Sequence, residues 1–406
     1  MNAAGKSARP WIGLKLAIVG IVAAAVTTGC GDAVAGRAVP GMTQVDLAEL
    51  DYGLAPTEPS AFDPDLVVTA DIYAIEARRM LAYLASPHKM DPDLRYLSDT
   101  SLIMDGALTF GSIFPDTFAA IASRNYLVAG AGTQRSNGSS RTEKSTAVAV
   151  LRFGNDHYAR TAANEFDAEL DVLHPGRENV PVPGYTDIHA GAPPTRDRGN
   201  VFAVKGPYVI VGSFSAPPDQ FGEMGNRMKR LLDIQLDAMA DLTPTPADDI
   251  LDLPLNPEGI MNMVLPEEHG GNGMYGAFQG VYPPEAHIHF EYDAEPFPDY
   301  TAYGVDLVAR NGGIVYRTGT NEQAFALQAA LARPGRYDEE IRGPAGLADA
   351  RCVQRSYTFG LFERFYCVAV YDRYVALVDA FGLGDLPSPE LHQTTAAQYA
   401  ILVNSR

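Results

Sequence analysis

The sequence predicts an α+β fold made of two tandem, similar units, each an antiparallel sheet of four to five strands with helices mainly on one face. Three observations support this prediction. Short β-rich runs alternate with longer segments of helical periodicity. A Pro-rich break, Leu242-Thr-Pro-Thr-Pro-Ala, divides the chain, and the order of elements before the break recurs after it. The predicted units are residues 67–243 and residues 250–406.

The beginning of the chain has the pattern of a secretion signal. Basic residues precede an apolar run, residues 16–26, which is shorter than the roughly 20 residues needed to span a bilayer. Small residues then lead to Cys30, and this ending resembles a lipobox, the signal for attaching diacylglycerol to a cysteine. We expect residues 1–29 to be a lipoprotein signal peptide and Cys30 to carry the lipid (palmitate included) at the extracytoplasmic face of the cell membrane. An uncleaved anchor and an ordinary secreted protein are the alternatives.

Composition limits the partners that the protein can have. The chain carries a net charge of -19. Because phosphate binding needs a basic surface, this charge excludes nucleic acid as a partner and argues against electrostatic attachment to anionic lipid. The expected contact with the membrane is therefore the lipid anchor. Residues 30–66, rich in Gly, Ala, Pro and acids with little periodicity, predict a flexible tether.

Each element of the first unit follows from a local pattern. Ser-Asn-Gly-Ser-Ser between two β-rich runs predicts a hairpin. Asn155 is a typical N-cap, and apolar residues recur after it with the i, i+3, i+4, i+7 spacing of a helix that lies on a sheet. The predicted bounds are residues 71–84 (helix), 126–134 and 146–153 (hairpin), 155–173 (helix), 185–189, 201–205 and 208–214 (strands) and 219–239 (helix).

Short strings of the first unit recur in the same order in the second. Val201-Phe-Ala-Val matches Cys367-Val-Ala-Val, for example, and Tyr208-Val matches Tyr374-Val. The spacing is too long for a solenoid repeat, so the strings predict a duplication of a whole unit; chance recurrence of Val/Ala/Tyr strings is the alternative. The remaining matches are Leu127 with Leu307, Arg152 with Arg317, Asn155 with Asn321, and the helix from Asp219 with the helix from Pro389.

Two cysteines remain once Cys30 is assigned to the lipid. Cys367 begins a β-rich run, and Cys352 lies in a weaker one. Folding the chain back near Gly360 would place the two cysteines opposite each other, within the range of a disulfide. An even pair in an oxidising compartment predicts a Cys352–Cys367 disulfide. The alternative is two free buried thiols.

The densest cluster of chemistry-bearing residues is Glu285-Ala-His-Ile-His-Phe-Glu291. On a strand, His287 and His289 would share one face with the two carboxylates, an arrangement that suits zinc. If Pro283-Pro284 opens a helix instead, His287 and Glu291 form an i, i+4 pair and the two imidazoles point apart. His287 and His289 are therefore candidate metal ligands only under the strand interpretation. The sequence predicts no other metal, no cofactor and no catalytic residue.

Several motifs together resemble an uncharacterised family of actinobacterial cell-envelope lipoproteins. They are the ending at Cys30, the string Gly36-Arg-Ala-Val-Pro-Gly, the segment Asp51-Tyr-Gly-Leu-Ala-Pro-Thr-Glu-Pro, and Phe365-Tyr-Cys-Val-Ala-Val-Tyr-Asp-Arg-Tyr-Val-Ala. The resemblance covers the predicted mature chain. It implies a location and a fold of two units, but no mechanism.

The sequence favours binding over catalysis. No Gly-x-Ser-x-Gly elbow, phosphate-binding loop or Ser-x-x-Lys motif is present. We therefore expect a lipid-anchored, extracytoplasmic, non-catalytic binding module that takes an envelope protein, a polymer or a small ligand in the cleft between its units. Two alternatives stay open: a metal-dependent hydrolase using His287 and His289, and a structural component of the envelope.

Overall fold

Two seven-stranded antiparallel sheets form the framework of the fold. The structure is a computed structural model, and it describes residues 42–62, 69–103, 114–266, 278–295, 298–356, 363–382 and 389–405. The predicted signal peptide, Cys30 and Gly360 lie outside these residues. The α+β class and the tandem arrangement of two units are confirmed.

The first sheet has the spatial order β1-β2-β3-β7-β6-β5-β4. Its strands are β1 (Tyr96–Ile103), β2 (Leu127–Ser136), β3 (Ser145–Phe153), β4 (Glu178–Asn179), β5 (Ile188–Ala192), β6 (Arg198–Lys205) and β7 (Tyr208–Ser215). The helices of this half are α1 (Thr69–Met80), α2 (Pro87–Met90), α3 (Thr117–Arg124), α4 (Asp156–Leu173) and α5 (Met224–Ala238).

The second sheet has the spatial order β8-β9-β10-β14-β13-β12-β11. Its strands are β8 (Gly280–Tyr282), β9 (Leu307–Arg310), β10 (Ile314–Arg317), β11 (Glu339–Ile341), β12 (Arg351–Ser356), β13 (Glu363–Tyr371) and β14 (Tyr374–Gly382). The helices of this half are α6 (Pro284–His287), α7 (Asn321–Leu331) and α8 (Pro389–Asn404).

The two sheets share one topology. In each, three strands are followed by a helix, then by four strands and a second helix, and the last strand pairs with the third. The strings Val201-Phe-Ala-Val and Cys367-Val-Ala-Val fall on equivalent strands in equivalent register. Leu127 and Leu307 also lie on equivalent strands but differ in register, since Leu127 faces Phe153 and Leu307 faces Arg317. Arg152 at the end of β3 faces Tyr208, just as Arg317 at the end of β10 faces Tyr374. The recurrence in the sequence therefore reflects a recurrence of the fold.

Helices cover both faces of each sheet, whereas the sequence predicted helices mainly on one face. All nine residues of β3 are buried. Val148 and Val150 pack into the cluster formed with α1, α2 and α5, while Ala149 and Leu151 pack into the cluster formed with α3 and α4. Each sheet also has more strands than predicted, because short edge strands such as β4 and β8 have too few residues to show an alternating pattern.

The described part of the predicted tether, residues 42–62, packs against the second unit. Thr43 donates from its main-chain nitrogen and its hydroxyl to the carboxylate of Asp349, at 2.6 and 2.8 Å. Leu50 is buried in a cluster with Leu347 and Tyr399. This stretch lacks helical or strand periodicity, so its apolar side chains gave no signal of burial in the sequence.

A second stretch, residues 280–295, contacts both halves of the molecule, and we call it the junction segment. Its β8 pairs with β9 of the second sheet. Its Tyr282 and Ala286 belong to the apolar cluster of the first unit, together with Met80. Further along, the main-chain nitrogen of Leu97 in β1 donates to the carbonyl oxygen of Tyr292 at 2.6 Å. The junction segment is thus integral to both sheets.

None of the helices in the described ranges combines the length and the apolar character that crossing a membrane requires.

Candidate functional site

The cluster around His287 adopts the helical alternative. Pro284 lies in the first turn of α6, as is common for proline. A short 3-10 turn, Ile288–Phe290, continues the chain to Glu291. The ring of His287 lies 3.2 Å from a carboxylate oxygen of Glu291, the i, i+4 contact expected for a helix.

His287 is completely buried and its polar atoms are used internally. Its Nε2 lies 3.0 Å from the hydroxyl of Tyr316, and its Nδ1 lies 3.4 Å from Nη1 of Arg310. Because a guanidinium can only donate, Nδ1 is the acceptor and the proton of the neutral ring is on Nε2. Burial lowers the pKa of His287, and the contact with Glu291 offsets this only in part.

Glu291 is the buried anion of this cluster. It accepts a hydrogen bond from the hydroxyl of Tyr300 at 2.5 Å in addition to the contact with His287. Burial raises the pKa of Glu291, but the hydrogen bonds from His287 and Tyr300 outweigh burial, so the net pKa lies below its usual value. An ionised carboxylate with these donors is stabilised in the interior.

His289 points to a different part of the molecule. Its Nε2 lies 3.0 Å from the carbonyl oxygen of Leu84 in the first unit, and its own carbonyl accepts a hydrogen bond from Thr100. Burial, with a smaller effect of the Arg135 charge, lowers the pKa of His289 to about 3. The two imidazoles bind different elements and do not converge on one point.

Arg135 holds the end of this turn in place. The side chain is fully buried and donates to the carbonyl oxygens of Arg95, Ile288 and Glu291 at 2.7, 3.0 and 2.8 Å. Two of these acceptors are the last carbonyls of the helical turn, which basic side chains commonly bind. The cluster therefore joins β2 to the junction segment, and its His287 is completely buried.

A group of three potential metal ligands occurs elsewhere among the described residues. It consists of Cys352, Cys367 and His392. The structure joins Cys352 and Cys367 in a disulfide, and the two residues face each other in the register of β12 and β13. Because the disulfide uses both sulfur atoms, only His392 remains as a ligand, and this group cannot hold a metal in its oxidised form.

A polar groove lies where the junction segment meets the first sheet, and we call it the inter-unit groove. It has a volume of about 330 Å³. One wall comes from the junction segment through Tyr292, and the other walls come from β1, from β2 and from the loop that joins β2 to β3. The lining residues are Tyr96, Leu97, Ser98, Gln134, Ser136, Asn137, Gly138, Ser139, Ser140, Glu143, Ser145 and Tyr292.

The groove has a fixed shape because its walls are bonded to each other. Antiparallel main-chain pairing places Asp293 opposite Tyr96, and Arg95 forms two hydrogen bonds with the carboxylate of Asp293 at 3.1 and 2.6 Å. In the loop, the carboxamide oxygen of Asn137 accepts from the main-chain nitrogens of Ser139 and Lys144. The sequence predicted a hairpin here, and the hydrogen bonds of Asn137 hold its loop.

A second groove, with a volume of about 460 Å³, lies within the first unit between β4 and the beginning of α5. Arg196 lies at its edge with its guanidinium 5.6 Å from the centre of the Phe221 ring. The same guanidinium lies 3.4 Å from the carboxylate of Glu178. The groove's two charged lining residues thus form an exposed ion pair with each other.

The sequence pointed to one wall of the inter-unit groove and missed the other. The Ser-Asn-Gly-Ser-Ser string marked the loop. Tyr292 carried no signal, because its role depends on pairing between the junction segment and β1, which are far apart along the chain.

Comparisons with known proteins identify the family. The model of the domain of unknown function DUF7373, N-terminal, matches residues 65–255, and the model of the DUF7373 C-terminal domain matches residues 261–405. No curated protein matches the chain. Among solved structures, the extracellular domain of PknH from Mycobacterium tuberculosis is similar over 39% of this chain and 95% of that chain, with 13% sequence identity and a TM-score of 0.28. The two family matches together span most of the sequence, and the chain belongs to the DUF7373 family.

Proposed function

We propose that this protein is a lipid-anchored, extracytoplasmic binding protein that takes its ligand in the inter-unit groove. The observation that carries this proposal is the groove itself. It is concave, it is lined mainly by polar side chains, and both the first unit and the junction segment contribute to it. Ligand sites occur preferentially where domains meet.

The extracytoplasmic location is supported by the cysteines. Cys352 and Cys367 are both completely buried and are joined to each other. Disulfides of this kind persist in oxidising compartments and are rare in the cytosol. The lipid anchor is supported by the apolar run that ends at Cys30.

Binding rather than catalysis is supported by the chemistry of the groove. Among its described lining residues there is no histidine, cysteine or lysine, and Glu143 is the single carboxylate. General acid–base catalysis generally needs a positioned pair of groups with suitable pKa values. Of the histidine–carboxylate pairs among the described residues, His287 with Glu291 is buried away from solvent, and His189 with Asp167 does not line the groove.

Lipidation is tested by substituting Cys30. The variant Cys30→Ala should incorporate no labelled fatty acid and should be released into the medium, because the acyl chains on Cys30 are the proposed link to the membrane. The double variant Cys352→Ser/Cys367→Ser is the control, since it keeps Cys30 and should still be labelled. Unchanged labelling of Cys30→Ala would contradict the anchor.

Use of the groove is tested by photocrosslinking in native envelopes. A photoreactive amino acid placed at Ser98, an exposed residue that lines the groove, should form a defined adduct with the ligand. The control position is Tyr337, which is 68% exposed and does not line the groove. Equal products from both positions, or none from Ser98, would exclude the groove as the binding site.

A further inference from the structure

The inter-unit groove is lined by side chains of the types that both donate and accept hydrogen bonds. Hydroxyls have this property, and carboxamides provide both a donor and an acceptor group. A sugar presents the same mixture, because each of its hydroxyls donates one hydrogen bond and accepts others. The groups that suit this role are the hydroxyls of Ser98 and Ser140 and the carboxamide of Gln134. The polar groups of Ser136, Asn137, Ser139 and Ser145 also line the groove but are hydrogen-bonded within the protein.

Two aromatic rings stand beside these polar groups. The ring centroids of Tyr96 and Tyr292 are 5.7 Å apart, and the ring planes are tilted by 46°. Gly138 lies against the Tyr96 ring, where an added Cβ would come within 2.7 Å of a ring carbon. Tyrosine combines an apolar ring with a polar tip. The faces of a pyranose or furanose ring carry C–H groups that pack against such rings.

The charge of the groove disfavours anionic ligands. No lysine, arginine or histidine is among its described lining residues, and Glu143 is acidic. The neighbouring Lys144 is bound to the carboxylates of Asp91 and Asp93 at 3.0 and 2.6 Å. The whole chain is also strongly acidic, with a net charge of -19. Phosphorylated, sulfated and uronic-acid chains would therefore be repelled.

The groove is ordered before any ligand arrives. Asn137 donates to the carbonyl oxygen of Thr142 at 2.7 Å and accepts from the main chain of Lys144 at 3.0 Å. The hydroxyls of Ser139 and Thr142 are 3.0 Å apart. A loop that is already ordered loses less conformational entropy when it binds, which favours even a weakly attractive polar ligand.

We propose that the inter-unit groove binds a neutral glycan. This inference rests on the proposed function and names its ligand class. The volume of about 330 Å³ is at the small end for ligand sites. It suits a short stretch of a glycan whose remaining residues extend into solvent.

Calorimetric titration with soluble, neutral oligosaccharides of glucose, galactose and arabinose tests whether the groove binds a glycan. At least one of these probes should bind the mature protein, and Tyr292→Ala should weaken that binding by about tenfold, equivalent to about 1.4 kcal/mol. Tyr292→Phe keeps the ring and should retain most of the affinity. The main-chain bond from Leu97 to Tyr292 does not depend on the side chain. Tyr337→Ala, which removes an exposed ring outside the groove, is the matched control.

A second variant guards against a folding defect in the first. Gln134→Ala removes a carboxamide from the groove and should also weaken binding, whereas Tyr337→Ala should leave it unchanged. Tighter binding of an oligosaccharide than of its monosaccharide would identify a polymer as the source of the ligand, and equal binding would identify a free sugar. Both results support the proposal.

The experiments distinguish an error in the ligand class, a neutral glycan, from an error in the proposed binding function. If no neutral oligosaccharide binds but photocrosslinking at Ser98 still yields a specific adduct with a protein or a lipid, the glycan is excluded and the binding function stands. If the titration and the crosslinking both fail, both proposals are overturned. Loss of binding in Tyr337→Ala equal to that in Tyr292→Ala would also exclude the groove.

Discussion

At the scale of the residue, buried charges place strong constraints on this fold. Glu76 of α1 is completely buried, and its carboxylate accepts from Arg79, Arg152 and Thr245 at 2.7–2.9 Å. Burial raises the pKa of Glu76, but the hydrogen bonds and charges of these partners outweigh burial and lower the net pKa. Thr245 belongs to the Pro-rich break, so this ion pair network also fixes the segment that follows the first unit.

Removing the charge of Glu76 should destabilise the protein strongly. In Glu76→Gln, Arg152 stays buried and loses its carboxylate partner, so we expect the free energy of unfolding to fall by about 3–5 kcal/mol. Urea denaturation measures this change. The control is Glu295→Gln, whose carboxylate is 55% exposed and pairs with Arg95; it should cost less than about 1 kcal/mol. Equal effects of the two substitutions would contradict the assignment.

Burial of His289 predicts a pH dependence of stability. In the unfolded chain this imidazole takes up a proton near pH 6.5, but in the folded protein its pKa is about 3. The unfolded state therefore binds more protons between these values. The contribution of His289 to stability is complete above about pH 6.5 and decreases as the pH falls toward 3, by about 1.4 kcal/mol per pH unit.

The variant His289→Gln isolates this contribution. Urea denaturation measured from pH 7.5 down to pH 4 should give a free energy of unfolding that falls less steeply for the variant than for the wild type. The difference in slope should correspond to about one fewer proton taken up on unfolding. The comparison at pH 7.5, where the imidazole is neutral in both states, gives the cost of the substitution itself. Parallel pH profiles would show that His289 is protonated in the folded protein.

The environment of these residues could be predicted only in part. Pro283-Pro284 allowed the helix in which His287 meets Glu291, but it did not decide between helix and strand. The partners that decide the role of each ring, Tyr316 and the carbonyl of Leu84, lie in distant segments that local periodicity does not connect to the cluster.

At the level of the strands, the disulfide of the second unit lies at a position where the equivalent strands of the first unit have no cysteine. In the first sheet Ala190 faces Val201, and in the second Cys352 faces Cys367. Strand pairing thus brings the two cysteines together, and the first unit fills the same place with small apolar side chains.

Loss of the disulfide should destabilise the second unit. The bond joins residues separated by 15 positions, and a loop of this size contributes about 3 kcal/mol through the unfolded chain. Cys352→Ser/Cys367→Ser should unfold at a lower temperature than the oxidised wild type. A reductant should lower the melting temperature of the wild type but not that of the variant. Finding both thiols free to alkylation in protein taken from the envelope would refute the bond.

Long β-rich runs were predictable from sequence, whereas edge elements were not. The Asn155 cap of α4 is present, with its side chain accepting from the main-chain nitrogen of Tyr158 at 3.1 Å. Strands β2, β3, β6 and β7 lie where their β-rich runs predicted them. Strand β4 has only two residues, so its position depends on pairing with β5 rather than on its own composition.

Considered as a whole, the molecule has two segments that make contacts beyond the half of the chain they adjoin. Residues 42–62 precede the first unit in the chain but pack on the second, through contacts such as that of Thr43 with Asp349. The junction segment pairs with both sheets. All described residues belong to one compact unit by their contacts, Pro40–Arg406. We therefore expect the two halves to unfold together, in a single calorimetric transition.

Arg135 provides the test of this coupling. Its guanidinium donates to three carbonyl oxygens, two of which, those of Ile288 and Glu291, lie in the junction segment. In Arg135→Met the carbonyls of Arg95 and Ile288 still accept from the main-chain nitrogens of Ala294 and Glu291, but the carbonyl of Glu291 loses its side-chain donor. We expect the free energy of unfolding to fall by about 1–3 kcal/mol and the melting of the two halves to separate.

The control is Arg355→Met, which removes a partly buried arginine that binds Asp338 within the second unit. It should lower stability while leaving a single transition, because its hydrogen-bond partners Asp338 and Tyr366 both lie in the second unit. Two transitions in the wild type would show that the halves are independent. A single, unshifted transition in Arg135→Met would show that apolar packing of Tyr282 and Ala286 in the first unit's cluster is enough to couple them.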